Sequence, residues 1–257
     1  MKVVLIGSGN VATHLGTALY KSGHTILQVY SPTILHAKRL AKSLKAEFTT
    51  EPSGLHPKAD LYLIALRDEA IGEILPFIPD KTALIAHTSG SVPLSIFPKL
   101  FTNCGVIYPL QTFSRDRKIN IRSVPFCLES RNSSVNNRLA KFVSTLSDNI
   151  HWINSTERRS LHLAAVFANN FSNHMFVIAE EILRKSKLDF DLLRPLIAET
   201  AKKVQKHSPG EMQTGPARRG DSETIDKHLK ELAKNPDYAK IYKLISQSIE
   251  DHNGPVL

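Results

Sequence analysis

The chain has 257 residues, 42% of them hydrophobic, and no apolar stretch approaches the roughly 18 residues that a membrane-spanning helix needs. The formal net charge of +9 permits nucleic-acid binding, but the basic residues are scattered and form no recognised nucleic-acid motif, so we expect no nucleic-acid partner. Two cysteines, Cys104 and Cys127, are too few for a disulfide framework or a metal knuckle. We therefore expect both cysteines to be buried packing residues, with no metal site.

A glycine-rich turn follows the first predicted strand. The apolar run 3–6 leads directly into Gly7-Ser8-Gly9-Asn10-Val11-Ala12, without the cleavage pattern of a signal peptide. The first glycine allows a sharp turn, the second lets the backbone approach a pyrophosphate, and Ala12 lets the next helix pack closely against the strand. The glycine turn therefore predicts a dinucleotide-binding βαβ unit, with the cofactor contacting Gly7, Ser8, Gly9, Asn10, Val11 and Ala12. The lack of a signal-peptide pattern and of a membrane-spanning stretch predicts a cytosolic protein.

The end of the second predicted strand, Thr25 to Tyr30, bears on the choice between NAD and NADP. NAD sites usually place an acidic residue about 20 residues beyond the glycines, and no carboxylate occurs here before Glu47. Hydroxyls of Ser31 and Thr33 could instead bind a 2′-phosphate, with Lys38 or Arg39 adding positive charge. The sequence favours NADP(H), although Ser31 could equally cap the next helix, with Pro32 in its first position.

Short apolar runs alternate with helical patterns up to about Asn154, as in a doubly wound sheet. The run Leu61 to Leu66 is apolar on both faces, which predicts a central parallel strand. Its carboxyl end should lie at the cofactor crevice, so that Leu66, Arg67 and Asp68 neighbour the ligand. Further predicted strands are Ala83–His87, Gly105–Tyr108, Pro125–Leu128 and Ile150–Ile153.

Strand patterns end at about Asn154, and the remainder predicts helices. One long helix is expected from about Thr156 to Lys185, followed by helices near Leu192–Lys206, Ser222–Lys234 and Tyr238–Asp251. The fold class predicted is α/β: a Rossmann-like cofactor domain at residues 1–154, then an all-α domain at residues 155–257 for substrate binding and dimerisation.

Two groups of polar residues are candidates for the chemistry. His162, Asn169 or Asn170, and Asn173 recur on one face of the expected long helix, either to pin it to the sheet domain or to orient a ligand. His87-Thr88-Ser89-Gly90 follows a predicted strand at the edge where doubly wound folds bind ligands. Here His87 or His162 could supply a proton, while Gly90 would let the backbone turn.

A third candidate is the loop Thr214 to Asp221, which contains paired arginines. Asp221 or Ser222 can cap the following helix. A guanidinium group binds a carboxylate or phosphate with two hydrogen bonds, so Arg219 could hold an anionic substrate or form an interdomain salt bridge.

These motifs, together with Tyr108 to Phe113 and Ala164 to Phe171, resemble Rossmann-type members of the 6-phosphogluconate dehydrogenase superfamily. The resemblance extends over the whole chain and is closest to a bacterial group of NADP oxidoreductases with a C-terminal domain of unknown function. Pyrroline-carboxylate and ketopantoate reductases are more distantly similar. The resemblance implies NADP(H) binding, a helical domain across the cleft, and a homodimer assembled through those helices.

One departure from the superfamily limits the reaction. Its hydroxyacid dehydrogenases place a catalytic lysine four residues before an asparagine on the long helix, where this chain has Ala165 and Val166. The hypothesis is therefore hydride transfer between NADP(H) and a C=O or C=N bond of a small, polar, anionic substrate in the interdomain cleft. In it, Ser89 and Asn170 orient the reacting group, His87 or His162 handles the proton, Arg219 holds the charge, and His87 also contacts the cofactor. The alternative is a non-catalytic NADP(H) sensor.

Overall fold

The computed structural model describes residues 1–114 and 117–253. The chain divides into two compact units, 1–170 and 171–257. The last strand ends at Trp152 and the next helix begins at Ser155. The predicted domain boundary at residues 154 and 155 thus coincides with the change from strands to helices, whereas the compact units divide at Asn170. The boundary between functional domains stays a prediction.

The first unit is built on one sheet of eight strands in the order β3-β2-β1-β4-β5-β6-β7-β8. The strands are β1 (Lys2–Ile6), β2 (Thr25–Tyr30), β3 (Glu47–Thr49), β4 (Leu61–Ile64), β5 (Leu84–His87), β6 (Cys104–Pro109), β7 (Phe126–Ser130) and β8 (Ile150–Trp152). All neighbours are parallel except β6 and β7, which are antiparallel. The predicted doubly wound Rossmann-like sheet is confirmed. The short strand β3 was not predicted, and β4 ends two residues earlier than expected.

Apolar residues cover both faces of the central strands because successive side chains of a strand point to opposite sides. Val3 and Leu5 of β1 belong to one core cluster, whereas Val4 and Ile6 belong to the other. Cys104 and Cys127 are both buried and unpaired thiols, as predicted. The core therefore holds the sheet between two layers and fixes the edge at which the loops carry polar residues.

The helices of the first unit are α1 (Asn10–Lys21), α2 (Ile34–Leu44), α3 (Asp68–Ile74), α4 (Ser133–Val143) and α5 (Ser155–Ala165). The start of α5 is fixed by a capping box, in which the Asn154 side chain accepts from the Glu157 backbone and the Glu157 carboxylate accepts from the Asn154 backbone. This cap sets the position of every side chain that α5 presents.

The predicted helix from Thr156 to Lys185 is wrong in one respect. It is interrupted by a π-helical segment, Val166–Phe171, before α6 (Ser172–Lys185) begins. A π-helical turn holds about one more residue than an α-helical turn. The apolar pattern of residues 156–185 continues across this single wide turn, so periodicity did not reveal the segment.

The second unit also contains α7 (Arg194–Val204), α8 (Pro216–Arg219), α9 (Ser222–Glu231) and α10 (Pro236–Asn253). The three later helices expected from the sequence are confirmed, with bounds shifted by a few residues. Asp221 caps α9 by accepting a hydrogen bond from the Thr224 backbone, 3.1 Å away. Within residues 1–114 and 117–253, no helix combines the length and the apolarity that crossing a membrane requires.

Candidate functional site

The glycine turn lies where the sheet order reverses, between β1 and β4. Gly7 adopts φ +128°, and a Cβ at this position would lie 2.2 Å from the carbonyl oxygen of Ala65. Its amide donates to the Tyr30 carbonyl over 2.9 Å. Only glycine fits a positive φ at such a close backbone approach. In parallel α/β sheets this switch point is the usual ligand-binding crevice.

The amino terminus of α1 opens at this crevice. Gly9 is its N-cap and supplies no side-chain hydrogen bond, so the first backbone amides of α1 are available for an anion. A Cβ at Gly9 would meet no atom within 4 Å. The Asn10 side chain instead donates to the Phe113 carbonyl over 2.8 Å, and Ala12 is buried. The geometry fits a dinucleotide pyrophosphate, which would contact Asn10, Val11 and Ala12 through their backbones.

Ser31 lies directly after β2 and is buried. Its hydroxyl accepts from the Ser8 hydroxyl at 2.8 Å and from the Thr33 amide at 3.3 Å. Thr33, not Ser31, is the N-cap of α2, and Pro32 precedes the helix instead of occupying its first position. The N-cap role considered for Ser31 is therefore wrong, because α2 begins at Ile34 and not at Pro32.

A cavity of about 240 Å³, which we call the Arg39 cavity, lies beside the glycine turn. It is lined by hydroxyl, basic and apolar side chains: Ser8, Thr13, His36, Arg39, Leu40 and Ser43. None of these lining residues is acidic. Of the two basic residues expected near a 2′-phosphate, Arg39 borders this cavity, whereas Lys38 does not.

Leu66 and Arg67 lie in the connection between β4 and α3, since β4 ends at Ile64. Leu66 packs partly against the second core cluster, and Arg67 is exposed at the N-cap of α3. Their contact with a cofactor stays a prediction.

A larger cavity of about 570 Å³ lies at the carboxyl end of β6. We call it the Tyr108 cavity. Its polar lining residues are Tyr108, Gln111, Thr112, His162, Asn169 and Asn170, and its apolar ones are Leu110, Leu161, Ala164, Ala165, Val166 and Ala168. Among the described residues, 1–114 and 117–253, no lysine, arginine or carboxylate belongs to this lining. Ala165 and Val166, where the superfamily's lysine would stand, both border the cavity.

Tyr108 and His162 form a hydrogen-bonded pair in this cavity. The Tyr108 hydroxyl lies 3.1 Å from Nδ1 of His162, and the two rings meet edge to face. Gly90 packs against both, because a Cβ there would lie 2.7 Å from Nδ1 of His162 and 2.9 Å from Cζ of Tyr108. Gly90 is not among the glycines with positive φ. The chain bends at Gly90, as expected, and the missing side chain also gives room to the pair.

His87 lies in the core instead of at a cavity wall. Its side chain is fully buried and stacks on Phe97, with ring centroids 5.5 Å apart. Nδ1 accepts from the Ser89 amide at 3.2 Å. Burial, and then the positive charge of Arg158, lower the pKa of His87 from 6.5 to about 3. A neutral, fully buried imidazole is a poor proton donor to any ligand. The burial of His87 therefore favours His162 as the residue that handles the proton.

Ser89 organises the loop after β5. Its hydroxyl oxygen accepts from the amides of Ser91 and Val92 at 3.1 and 3.0 Å. The Ser91 hydroxyl in turn donates to Asp68. These bonds give Ser89 a structural role, and its expected contact with a substrate stays a prediction.

Arg158 anchors α5 to the sheet. Its side chain has no exposed surface and forms an ion pair with Glu129 of β7, while Nη2 donates to the Val92 carbonyl. Ser155 also donates to Glu129, at 2.8 Å. Arg158 and His162 are four residues apart and thus share one face of α5. The buried pair holds the helix turn from which His162 reaches Tyr108.

The other predicted site residues are distributed over both units. Asn169 and Asn170 line the Tyr108 cavity, but Asn173 lies beyond the π-helical segment and does not. Arg219 is exposed in the second unit, with Nη2 3.8 Å from a carboxylate oxygen of Asp221. The second unit has its own apolar cavity of about 340 Å³, bordered by Gly215, Pro216 and Ala217 of the same motif.

No local sequence pattern gave a role to Tyr108, Arg158 or His36. Tyr108 could have been found, because it ends a predicted strand at the ligand edge and begins one of the motifs that carry the family resemblance. Arg158 could not, since nothing in a helical pattern indicates that a charged residue at one position pairs inside the core.

Two family models match the chain. Residues 2–87 match the family described as NADP oxidoreductase coenzyme F420-dependent, and residues 124–249 match the domain of unknown function DUF2520. Comparison with curated proteins finds no significant match.

Solved structures show the same fold over nearly the whole chain. A protein from Bacteroides fragilis described as an NADP oxidoreductase is 43% identical, with a TM-score of 0.93 over 97% of this chain and 98% of that one. An imine reductase from Myxococcus stipitatus in complex with NADP⁺ is 14% identical, with a TM-score of 0.71 over 98% and 93%. A pyrroline-5-carboxylate reductase from Coxiella burnetii is 13% identical, with a TM-score of 0.56 over 97% of both chains.

The last two similarities concern the fold, whereas the first is close enough to establish the family. The expected resemblance is thus confirmed, and the chain belongs to the family of NADP oxidoreductases that join a coenzyme F420-dependent-type oxidoreductase domain to a DUF2520 domain.

Proposed function

We propose that the protein is an NADP(H)-dependent oxidoreductase that reduces a C=O or C=N bond of a small polar substrate. The observation that carries the proposal is the tight turn at Gly7 beside the uncapped amino terminus of α1, at the switch point of the sheet. Membership in the NADP oxidoreductase family and the fold shared with two reductases support the same class of reaction.

The residues present fit NADP(H). The first amides of α1 bind the pyrophosphate, and the open space at Gly9 admits it. Ser31 and Thr33 stand at the end of β2, and the Arg39 cavity adds a guanidinium and an imidazole without a carboxylate to repel a 2′-phosphate. When bound, the cofactor supplies a hydride.

The substrate occupies the Tyr108 cavity in this proposal. His162 handles the proton and Asn170 orients the reacting group, since both border the cavity. His87 is left with a structural role because it is fully buried. The anionic nature of the substrate, the contribution of Arg219 and a cleft between the two domains stay predictions from the sequence.

Replacing Arg39 with alanine is expected to weaken NADPH binding about tenfold and to leave NADH binding within twofold, because a charge-assisted hydrogen bond contributes roughly 1.5–3 kcal/mol. Lys38→Ala removes the same charge from the same helix, but outside the cavity, and should change neither affinity. Fluorescence titration of both cofactors into the three proteins measures this. If unmodified protein binds neither cofactor, the oxidoreductase proposal fails. Equal effects of the two substitutions would remove Arg39 from the site.

We also propose a homodimer assembled through the helical domain, in a cytosolic protein. Large apolar side chains are more than half exposed at Leu188, Leu192, Leu196 and Leu244 of the described helical unit, and contact with a second copy would remove this apolar surface from water. Sedimentation equilibrium should give twice the mass of one chain, and Leu192→Glu should shift the protein towards monomer. A monomer at high micromolar concentration would contradict the proposal.

A further inference from the structure

We propose that Tyr108 is the acid that protonates the oxygen or nitrogen of the reduced bond, that His162 relays the proton to Tyr108, and that the substrate's reacting end is uncharged. This assignment rests on the proposed function and names two residue roles and a substrate class within it.

The pair is built like a proton relay. The Tyr108 hydroxyl and Nδ1 of His162 lie 3.1 Å apart, within the range for direct proton transfer. Tyr108 is 9% exposed and therefore largely shielded from solvent, whereas His162 is half-buried. A proton can thus enter through the imidazole and leave through the phenol at the cavity wall.

The surroundings of the Tyr108 hydroxyl favour its protonated form. Burial raises the pKa of Tyr108, the neighbouring Cys127 thiol acts in the same direction, and the positive charge of Arg158 opposes them. A phenol with a raised pKa holds its proton at neutral pH and is available as a hydrogen-bond donor, whereas only the charge of Arg158 favours the loss of that proton. The nearby guanidinium would stabilise the phenolate that forms when the proton leaves.

The lining of the Tyr108 cavity indicates what its occupant looks like. Amides, a hydroxyl, the His162 imidazole and apolar side chains line the cavity beside Tyr108, and among residues 1–114 and 117–253 no lysine, arginine or carboxylate belongs to the lining. An ionised group placed there would lose its hydration, and the nearby guanidinium of Arg158 is already paired with Glu129, which makes its entry unfavourable. A neutral C=O or C=N group would lose little hydration free energy, and it would accept a hydrogen bond from Tyr108.

Gly90 is the positioning residue for this pair. Any side chain there would push against both Nδ1 of His162 and the Tyr108 ring. Since proton transfer depends steeply on distance, a methyl group at this point would disturb the reaction more than it disturbs the fold.

The proposed step balances as follows. The substrate carbon gains a hydride from the bound nicotinamide, which is oxidised, and the electron pair of the C=O or C=N π bond moves to oxygen or nitrogen. That atom takes the proton of the Tyr108 hydroxyl. The resulting phenolate takes the proton carried on Nδ1 of His162 while Nε2 takes a proton from solvent, so that the ring gains one proton as it loses another.

The chain contains a matched control for the test. Tyr242 and His228 form a second pair, with the hydroxyl 2.8 Å from Nδ1 and the rings edge to face. Tyr108→Phe and Tyr242→Phe therefore remove the same atom from the same kind of pair, in different units of the chain. NADPH affinity and the thermal unfolding midpoint are measured for both variants, to establish that each is folded and binds cofactor.

Turnover is measured by NADPH absorbance with two neutral probes at pH 8, the ketone cyclopentanone and the cyclic imine 2-methyl-1-pyrroline. Tyr108→Phe should lower kcat at least about 100-fold, the usual contribution of a general acid. Its NADPH affinity should stay within twofold of the unmodified protein. Tyr242→Phe should leave both kcat and NADPH affinity unchanged. Binding of the inert lactam 2-pyrrolidinone to the NADP⁺-loaded protein should weaken about fivefold in Tyr108→Phe, for the loss of one neutral hydrogen bond. His162→Ala should lose about tenfold in kcat and regain part of it with added imidazole.

Each opposite result overturns a defined part of the assignment. Equal kcat for Tyr108→Phe and the unmodified protein removes Tyr108 as the acid, and an absence of imidazole rescue removes His162 as the relay. NADPH binding without reduction of either probe overturns the neutral substrate class. A protein that does not bind NADPH at all fails the proposed function itself, and titration reveals this before any turnover is measured.

Discussion

Gly7→Ala is expected to lower the free energy of unfolding by about 3 kcal/mol or more, the range of severe backbone clashes and strain. The added Cβ would lie 2.2 Å from the Ala65 carbonyl oxygen, and φ at this position is +128°. Neither the Ala65 backbone nor the Gly7 backbone can move away easily, because each is held by a hydrogen bond. The amide of Ala65 donates to the Ile6 carbonyl, and the amide of Gly7 donates to the Tyr30 carbonyl. Urea unfolding followed by circular dichroism measures the loss.

Gly9→Ala is the control that separates folding from binding. Gly9 has an ordinary φ of −74°, and no atom lies within 4 Å of its added Cβ. The variant should stay within about 1 kcal/mol of the unmodified protein, as expected for an N-cap change from glycine to alanine. Its NADPH affinity should nevertheless fall at least tenfold, because the methyl group fills the space through which the pyrophosphate approaches. Equal stability of the Gly7 and Gly9 variants would contradict the strain described at Gly7.

Acidification from pH 7 to pH 4.5 is expected to remove about 3 kcal/mol of stability through His87 alone, at about 1.4 kcal/mol per pKa unit. The folded-state pKa is about 3, below the ordinary value of 6.5. Between these values the unfolded chain binds the proton and the folded one does not, so stability is complete above pH 6.5 and falls as the pH decreases. Chemical denaturation at the two pH values measures the change.

The matched variants for this prediction are His87→Asn and His151→Asn. An asparagine at position 87 can still accept from the Ser89 amide but cannot take up a proton, so the acid-induced loss should shrink by about 3 kcal/mol relative to the unmodified protein. His151 is exposed on β8, and its replacement should leave the acid-induced loss unchanged. The same loss in all three proteins would show that His87 is not the source.

Local patterns were sufficient to predict the sheet and the glycine turn at its switch point. Apolar runs marked the strands, and the glycines directly behind β1 located the turn, because a phosphate-binding turn requires small residues at fixed offsets. The same reasoning identified the missing acidic residue after β2 and the Asp221 cap of α9. These features depend on residues close together in the chain, which a single sequence displays directly.

The Tyr108 cavity depends on residues that are distant in the chain. Tyr108 and His162 are 54 residues apart, and the contact between them exists only because Gly90 leaves room and Arg158 anchors α5 to Glu129. Periodicity identified His162 as a polar residue on an apolar helix but could not choose its partner. It also could not choose between His162 and His87 as the proton donor, since the two differ in burial, which a sequence pattern does not display.

The π-helical segment Val166–Phe171 changes how residues 155–185 must be compared. A turn of this segment holds more residues than an α-helical turn, so the α-helical period does not continue through it. A helical wheel is therefore valid within α5 or within α6, but not when it is drawn through both. A substitution here changes one side chain, whereas deleting one residue changes the wide turn itself.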